Sequence, residues 1–183
     1  MTVTKQEAED ALRDIARTER RTVSLKSYQM SWPHLIIWGV VWGIGYGAMA
    51  LSVNWAPLWA VLTLSGCAAS FAAGYLMSRG RNKSFDARFL WTFLAIFAFV
   101  SAVFAILPPL SGAQYGAFFP ILVALYYALI GIWSRGWRML ALGALLAALT
   151  LYGFFHQAAH FESYMAAVGG AGLILGGLWL RSA

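Results

Sequence analysis

The sequence predicts an all-α polytopic membrane protein: a bundle of six transmembrane helices in three hairpins, preceded by a short N-terminal cytoplasmic helix. Three observations predict it. Hydrophobic residues make up 61% and charged residues 11% of the 183 positions, against roughly 45–50% and about 25% in ordinary soluble domains. From Leu35 onward, apolar runs recur at close to the roughly 20 residues that cross a ~30 Å hydrocarbon layer. Every Lys and Arg falls on one side of a six-span threading. With a mean hydropathy of +0.67, so small a chain cannot hide its apolar surface in one core, and lipid must cover it. That excludes disorder, a nucleic-acid-binding module and most soluble enzymes. The lone Cys67 excludes an internal disulfide and any multi-cysteine metal site.

The N-terminal segment, residues 1–33, differs in kind from the transmembrane domain, residues 34–183. It holds five of the seven acids and six of the thirteen bases. Its polar, mixed-charge opening lacks the early apolar run of a secretory signal. Thr4-Lys5-Gln6-Glu7 fits a capping box, and Ala8, Ala11, Leu12, Ile15 and Ala16 recur at helical spacing. Glu9 precedes Arg13 by one turn in the favourable order. A helix from about Lys5 to Arg20 follows. Only Leu12 and Ile15 are bulky on its stripe, so the expectation is a surface helix resting on its own bundle or its twin. A docking helix for a separate partner and a lipid-surface anchor are the alternatives.

The spans are expected at about Leu35–Val53, Pro57–Met77, Phe89–Leu107, Tyr115–Trp133, Trp137–Phe155 and Tyr164–Leu180. The breaks Asn54–Pro57, Pro108–Gly112 and His156–Glu162 carry no Lys or Arg, whereas Ser78–Arg88 and Ser134–Arg138 carry Arg79, Arg81, Lys83, Arg88, Arg135 and Arg138. With the N-terminal bases and Arg181, all thirteen lie on one side, which the positive-inside rule makes cytoplasmic. The expected placement is a bacterial inner membrane, multi-pass, with both termini cytoplasmic. The net charge of +6 then reports topology and contact with anionic lipid head groups, not nucleic acid. Trp32, Trp91, Trp133, Trp137 and Trp179 fall at the cytoplasmic interface, Trp55 and Trp59 near the other, as in an aromatic belt. Trp38 and Trp42 sit deeper.

The membrane interior carries little chemistry. No Asp, Glu, Lys, Arg or His falls in the middle of a span, which weighs against proton-coupled carriers, pumps and voltage sensors. Ser65-Gly66 lacks both the protease-type glycine before it and a buried histidine base. Asp86 and Glu162, the acids available for paired acid–base work, fall on opposite sides. Cys67 reads as a buried small residue. Small residues are the main positive signal: Gly39, Gly43 and Gly47 in the first span, Gly66, Ser70 and Gly74 in the second, and Gly172 with Gly176 in the sixth are spaced for close helix packing. Such a seam serves the bundle itself, a homo-oligomer or a membrane-protein partner.

One cluster has ligand chemistry. On a continuous helix His156 and His160 share a face, with Glu162 nearby, so the three could hold a transition metal on the outer side. A polar loop between spans accounts for the same residues, and no fourth ligand is visible. The reading is therefore a non-enzymatic accessory, regulatory or scaffolding membrane protein without a cofactor. The first alternative is a small transporter or channel for a neutral or hydrophobic solute, lined by Trp38, Trp42, Tyr46 and Pro120. The second is a metal-linked sensor or enzyme built on His156, His160 and Glu162.

Overall fold

A computed structural model of the chain describes residues 4–51, 55–79, 87–107 and 111–183. Among them there is no strand. The helices are α1 (Lys5–Ala50), α2 (Trp55–Ser78), α3 (Ala87–Ile106), α4 (Gly112–Ser134) and α5 (Trp137–His156). The last apolar stretch is composite: a 3-10 turn (Ala158–His160), α6 (Phe161–Met165), a π-helical segment (Ala166–Ala171) and α7 (Gly172–Arg181). Five stretches are long and apolar enough to cross a membrane, and α3 adds a shorter apolar run, Leu94–Ile106. The expected breaks Asn54–Pro57, Ser78–Arg88 and Pro108–Gly112 lie partly outside the described residues, which leave out 52–54, 80–86 and 108–110, Arg81, Lys83 and Asp86 among them.

The first expectation to be corrected is the separate N-terminal helix. Nothing between Arg20 and Trp32 breaks a helix: no glycine or proline occurs there. The expected helix therefore does not end at Arg20, and α1 runs for 46 residues through Pro33, across the expected boundary at residue 33. Proline removes one backbone bond and crowds the carbonyl four residues back, which kinks helices more often than it ends them when both sides are otherwise held. Here both sides are held. The Ser24 hydroxyl donates to the Ser134 carbonyl at 2.8 Å, and the Arg138 amide donates to the Tyr28 hydroxyl at 3.3 Å. Beyond Pro33, Leu35 is fully buried.

Neighbouring helices alternate in direction. Along α1, Trp32, Gly39 and Tyr46 meet Gly177, Gly170 and Phe161 in turn, so α7 and α6 run antiparallel to it. Gly45 meets Trp59 while Val41 and Trp38 meet Gly66, so α2 also runs antiparallel to α1. Tyr46 donates to the Gly116 carbonyl at one end of α4 and Ser24 to Ser134 at the other, which fixes α4 antiparallel as well. As a result Lys26, Arg79, Arg135, Arg138 and Arg181 all lie at one end of the bundle, which we call the basic end. The buried core is drawn from α1, α4, α5, α6 and α7, with Leu35, Trp42, Tyr46, Tyr127, Met139 and Phe161 at its centre. α2 packs on α1, and α3 makes only sparse contact with the other described helices.

The α4–α5 hairpin shows how local sequence sets these ends. Ser111 caps α4, its hydroxyl accepting from the Gln114 amide while the Gln114 side chain accepts from the Ser111 amide. This Ser-x-x-Gln capping box satisfies two orphan donors at the helix start. At the other end Arg135 and Gly136 close the helix on the Gly131 carbonyl, and α5 begins at once.

Candidate functional site

The helix seams come first, because they decide which surfaces are left over. A methyl group built on Gly39 would lie 2.8 Å from the Gly170 carbonyl oxygen and 2.9 Å from the Ile174 nitrogen. α1 and the last helix therefore touch backbone to backbone, the contact that stands in for hydrophobic drive inside lipid. Gly43 lies on the same face, but a methyl there has 3.9 Å to the nearest atom, the Ala166 carbonyl oxygen. Gly66 faces Val41 and Trp38, and Gly176 faces Leu142 and Leu35. Gly47, Gly74 and Gly172 face nothing within 4 Å among the described residues. Ser70 is half-buried, and its hydroxyl has no hydrogen-bond partner among the described residues.

Sequence spacing missed the closest approaches. A methyl on Gly143 would lie 2.5 Å from the Ala124 carbonyl oxygen and 2.7 Å from the Ala128 nitrogen, and one on Gly131 would strike the Leu140 backbone. Gly170 and Gly177 carry the α1 seam instead of Gly172. The signal was present in weaker form: Ala124, Ala128 and Gly131 form a small-residue stripe that alternates with large residues, and Gly170 and Gly177 are seven apart. The π-helical segment ends at Ala171, and its wider turn changes which glycines of that stretch face α1.

The outer histidines do not form the expected pair. α5 ends at His156, Gln157 leaves helical geometry at φ −123°, ψ 30°, and His160 sits in the 3-10 turn that follows. The two imidazoles therefore do not share a helical face. His156 instead stacks on Tyr152, with ring centroids 4.9 Å apart and planes 12° from parallel. Both histidines are exposed, and Glu162 is half-buried. Among the described residues no group of three or more His, Cys, Asp or Glu side chains converges on a point that could hold a metal.

The aromatic residues expected to line a solute path are packing residues. Trp42, Tyr46 and Pro120 are buried. Tyr46 stands edge-on to Trp42, Trp59 and Phe161 and gives its hydroxyl proton to the Gly116 carbonyl. Trp59 in turn donates its indole N–H to the Met49 sulfur at 3.2 Å. The Tyr46 hydroxyl and the Trp59 indole N–H each have a partner, as buried Tyr and Trp require, and Trp38 is partly buried against the same core.

The basic end is where exposed, organised chemistry remains. The Arg138 guanidinium donates to the Trp179 carbonyl at 2.8 Å. It lies 5.2 Å from the Trp179 ring centroid and 6.0 Å from those of Trp137 and Tyr28. Arg181 lies 5.1 Å from the Trp32 ring, and Trp137 meets Trp179 edge-on. Cation–π contact of this kind contributes roughly 0.5–1 kcal/mol when exposed. The set ties the start of α5 and the end of α7 to α1. From this collar the first part of α1 projects away. Its described side chains from Glu9 to Val23 are exposed, Leu12 at 66% and Ile15 at 63%, and the Ser24 and Tyr28 bonds hold its base. The expected helix resting on the bundle is thus not what forms.

No family model, curated protein or solved structure matches the chain. The class is set by the fold alone: all-helical among its described residues, with five to six helices long and apolar enough to span a membrane and an arm at its basic end.

Proposed function

We propose that the chain is a non-enzymatic accessory or scaffolding protein of a bacterial-type inner membrane. In this reading it crosses six times with both termini in the cytoplasm, and it engages a partner protein through the projecting part of α1. The observation that carries the reading is the arm itself. A short isolated helix is marginal in water, and this one gains nothing from tertiary packing before Ser24. It is propagated outward from an anchored base, and it keeps Leu12 and Ile15 exposed one turn apart. An arm so built contributes little to the bundle and presents a short apolar strip to something else. The segregation of the bases supports the orientation, because the basic side of a membrane protein is as a rule its cytoplasmic side.

The test has two parts. Reporter fusions after Lys83 and after Arg138 should read cytoplasmic, and fusions at Ser111 and Gln157 external; an external reading at Lys83 overturns the threading. A photo-crosslinking residue at position 12 or 15 of the full chain should give a discrete protein adduct in cells, and none when placed at the lipid-facing position Leu125. Adducts only with lipid or with the chain's own bundle contradict the arm's assignment.

A further inference from the structure

The turn joining α4 to α5 reads Trp133-Ser134-Arg135-Gly136-Trp137-Arg138, and its backbone is unusual. Arg135 adopts φ 52°, ψ 29° and is the one non-glycine residue with positive φ among the described residues. The conformation itself has a plain task, since the Arg135 amide closes α4 on the Gly131 and Ile132 carbonyls. Glycine performs that task without the steric cost of a Cβ. An arginine there meets the negative end of α4 favourably, but it carries the steric cost of a Cβ in a left-handed conformation. An observed outlier of this kind is grounds for asking what the side chain does.

Its surroundings give the answer a direction. Trp133 is 86% exposed and Trp137 63% exposed on either side of it. Three residues on, Arg138 is half-buried and oriented by its bond to the Trp179 carbonyl and by three aromatic rings. That bond uses one guanidinium donor and leaves the others of the five-donor fork. Among the described residues no carboxylate forms an ion pair with Arg135 or Arg138. The first-turn amides of α5 are already engaged, Arg138 on the Tyr28 hydroxyl and Met139 on the Gly136 carbonyl, so the arginine side chains are what the turn offers an anion. Two arginines and two tryptophans, each tryptophan with an apolar body and a polar tip, fall within the six residues of this one turn.

We propose that the α4–α5 turn is a head-group site for an anionic phospholipid. The Arg135 fork and the free N–H groups of Arg138 take the oxygens of one phosphodiester, and Trp133 and Trp137 lie beside its upper acyl chains. Planar arginine forks match phosphate oxygens bidentately, which a bulk surface charge does not. The proposal rests on the membrane-spanning reading above and narrows its general attraction for anionic lipid to one place.

The full-length protein is reconstituted into nanodiscs of phosphatidylcholine, with or without a minority of phosphatidylglycerol, and its thermal unfolding and retained lipids are measured. Wild type should unfold at higher temperature with phosphatidylglycerol and retain it preferentially. Arg135→Gly should weaken that retention by more than the about fivefold that any one arginine near an anionic surface supplies. In pure phosphatidylcholine the same variant should be at least as stable as wild type, because glycine relieves the left-handed strain. Arg79→Gln, at the same end but on α2, should lose no more than that general, about fivefold attraction. Equal phosphatidylglycerol retention by wild type and Arg135→Gly overturns the site, and so does an equal loss in Arg79→Gln, which would indicate surface charge alone. Inorganic phosphate reproducing the wild-type shift in phosphatidylcholine assigns the forks to a free anion and overturns the lipid. Failure of the wild type to insert into any nanodisc overturns the membrane reading beneath the proposal, a result separable from insertion without lipid preference.

Discussion

The pair α4–α5 and the pair α2–α3 are both built from strongly apolar helices of similar length, yet they are used in different ways. α4 and α5 bring Ala124, Ala128 and Gly131 against Leu140 and Gly143 so closely that backbones touch, and both contribute to the buried core. α2 lies along α1, with nothing within 4 Å of a methyl on Gly74 among the described residues, and leaves Val61, Leu64 and Leu76 exposed. Among the described residues Phe104 of α3 meets Tyr115, Phe118 and Phe119, with ring centroids 5.0, 5.1 and 6.0 Å apart. Hydropathy does not separate the two pairs, because hydropathy reports only that lipid can cover a helix. Packing is decided by whether small residues on one helix face small residues or backbone on the next.

The sharpest way to break this comparison is to fill a glycine in each region. Gly143→Leu adds four carbons where even one meets the Ala124 and Ala128 backbone. Overpacking of this kind costs roughly 1–3 kcal/mol, and thermal unfolding in mild detergent should fall by several degrees. Gly74→Leu, in the open part of α2, should stay within about 0.5 kcal/mol of wild type. Equal losses at the two positions would mean that the α2 surface is packed too, against a neighbour or another copy.

A smaller effect sharpens the picture within one motif. Gly39 and Gly43 are the same G-x-x-x-G step, but a methyl on Gly39 meets the Gly170 oxygen at 2.8 Å whereas one on Gly43 has 3.9 Å of room. Gly39→Ala should therefore lower the unfolding midpoint, and Gly43→Ala should leave it unchanged or raise it slightly through the better helix propensity of alanine. The reverse order would place the closest approach of α1 and the last helix one turn away from where these contacts put it.

The smallest effect belongs to the exposed outer turn. With His156 stacked on Tyr152 and His160 beyond the helix end, the double change His156→Ala/His160→Ala should alter stability by no more than about 0.5 kcal/mol. Elemental analysis of protein purified without chelator should find no stoichiometric metal in wild type or variant. About one zinc, copper or iron per chain that vanishes with the histidines would reinstate a metal centre on that face.

How much of this was legible depends on the kind of signal. The helical stretches were legible, because long apolar runs between charged or polar breaks have few other solutions in lipid. The basic end was legible for the same reason, since the bases could fall only in the breaks. The continuity of α1 was not. A switch from apolar to charged composition near residue 33 resembles a boundary, but composition changes what covers a helix without ending it, and Pro33 alone did not end it. The end of α5 was legible, since a break was expected at His156–Glu162 and the helix stops at His156; what the spacing of His156 and His160 did not show is that the turn takes them off one helical face as Phe161 turns back under Tyr46 and Phe154. Among the glycines, regular spacing found Gly39, Gly43, Gly66 and Gly176, with Gly43 in backbone contact with Gly170, but overlooked Gly131, Gly143 and Gly170, whose partners lie on other helices. A spacing rule reads one helix at a time, and a seam belongs to two.

The central claim is that the first part of α1 is a rigid arm held away from the bundle. Spin labels at Leu12→Cys and Ser182→Cys, in a chain whose Cys67 is replaced by alanine, measure it directly in nanodiscs. Arg181 lies over Trp32, so the second label marks the level of Trp32 on α1, and twenty residues of helix at 1.5 Å each separate it from Leu12 by about 30 Å along the axis. A continuous arm predicts one narrow distance distribution near that value. A broad distribution, or a dominant distance below about 20 Å, would mean that the helix breaks and folds back onto the bundle or the lipid, and would contradict the arm.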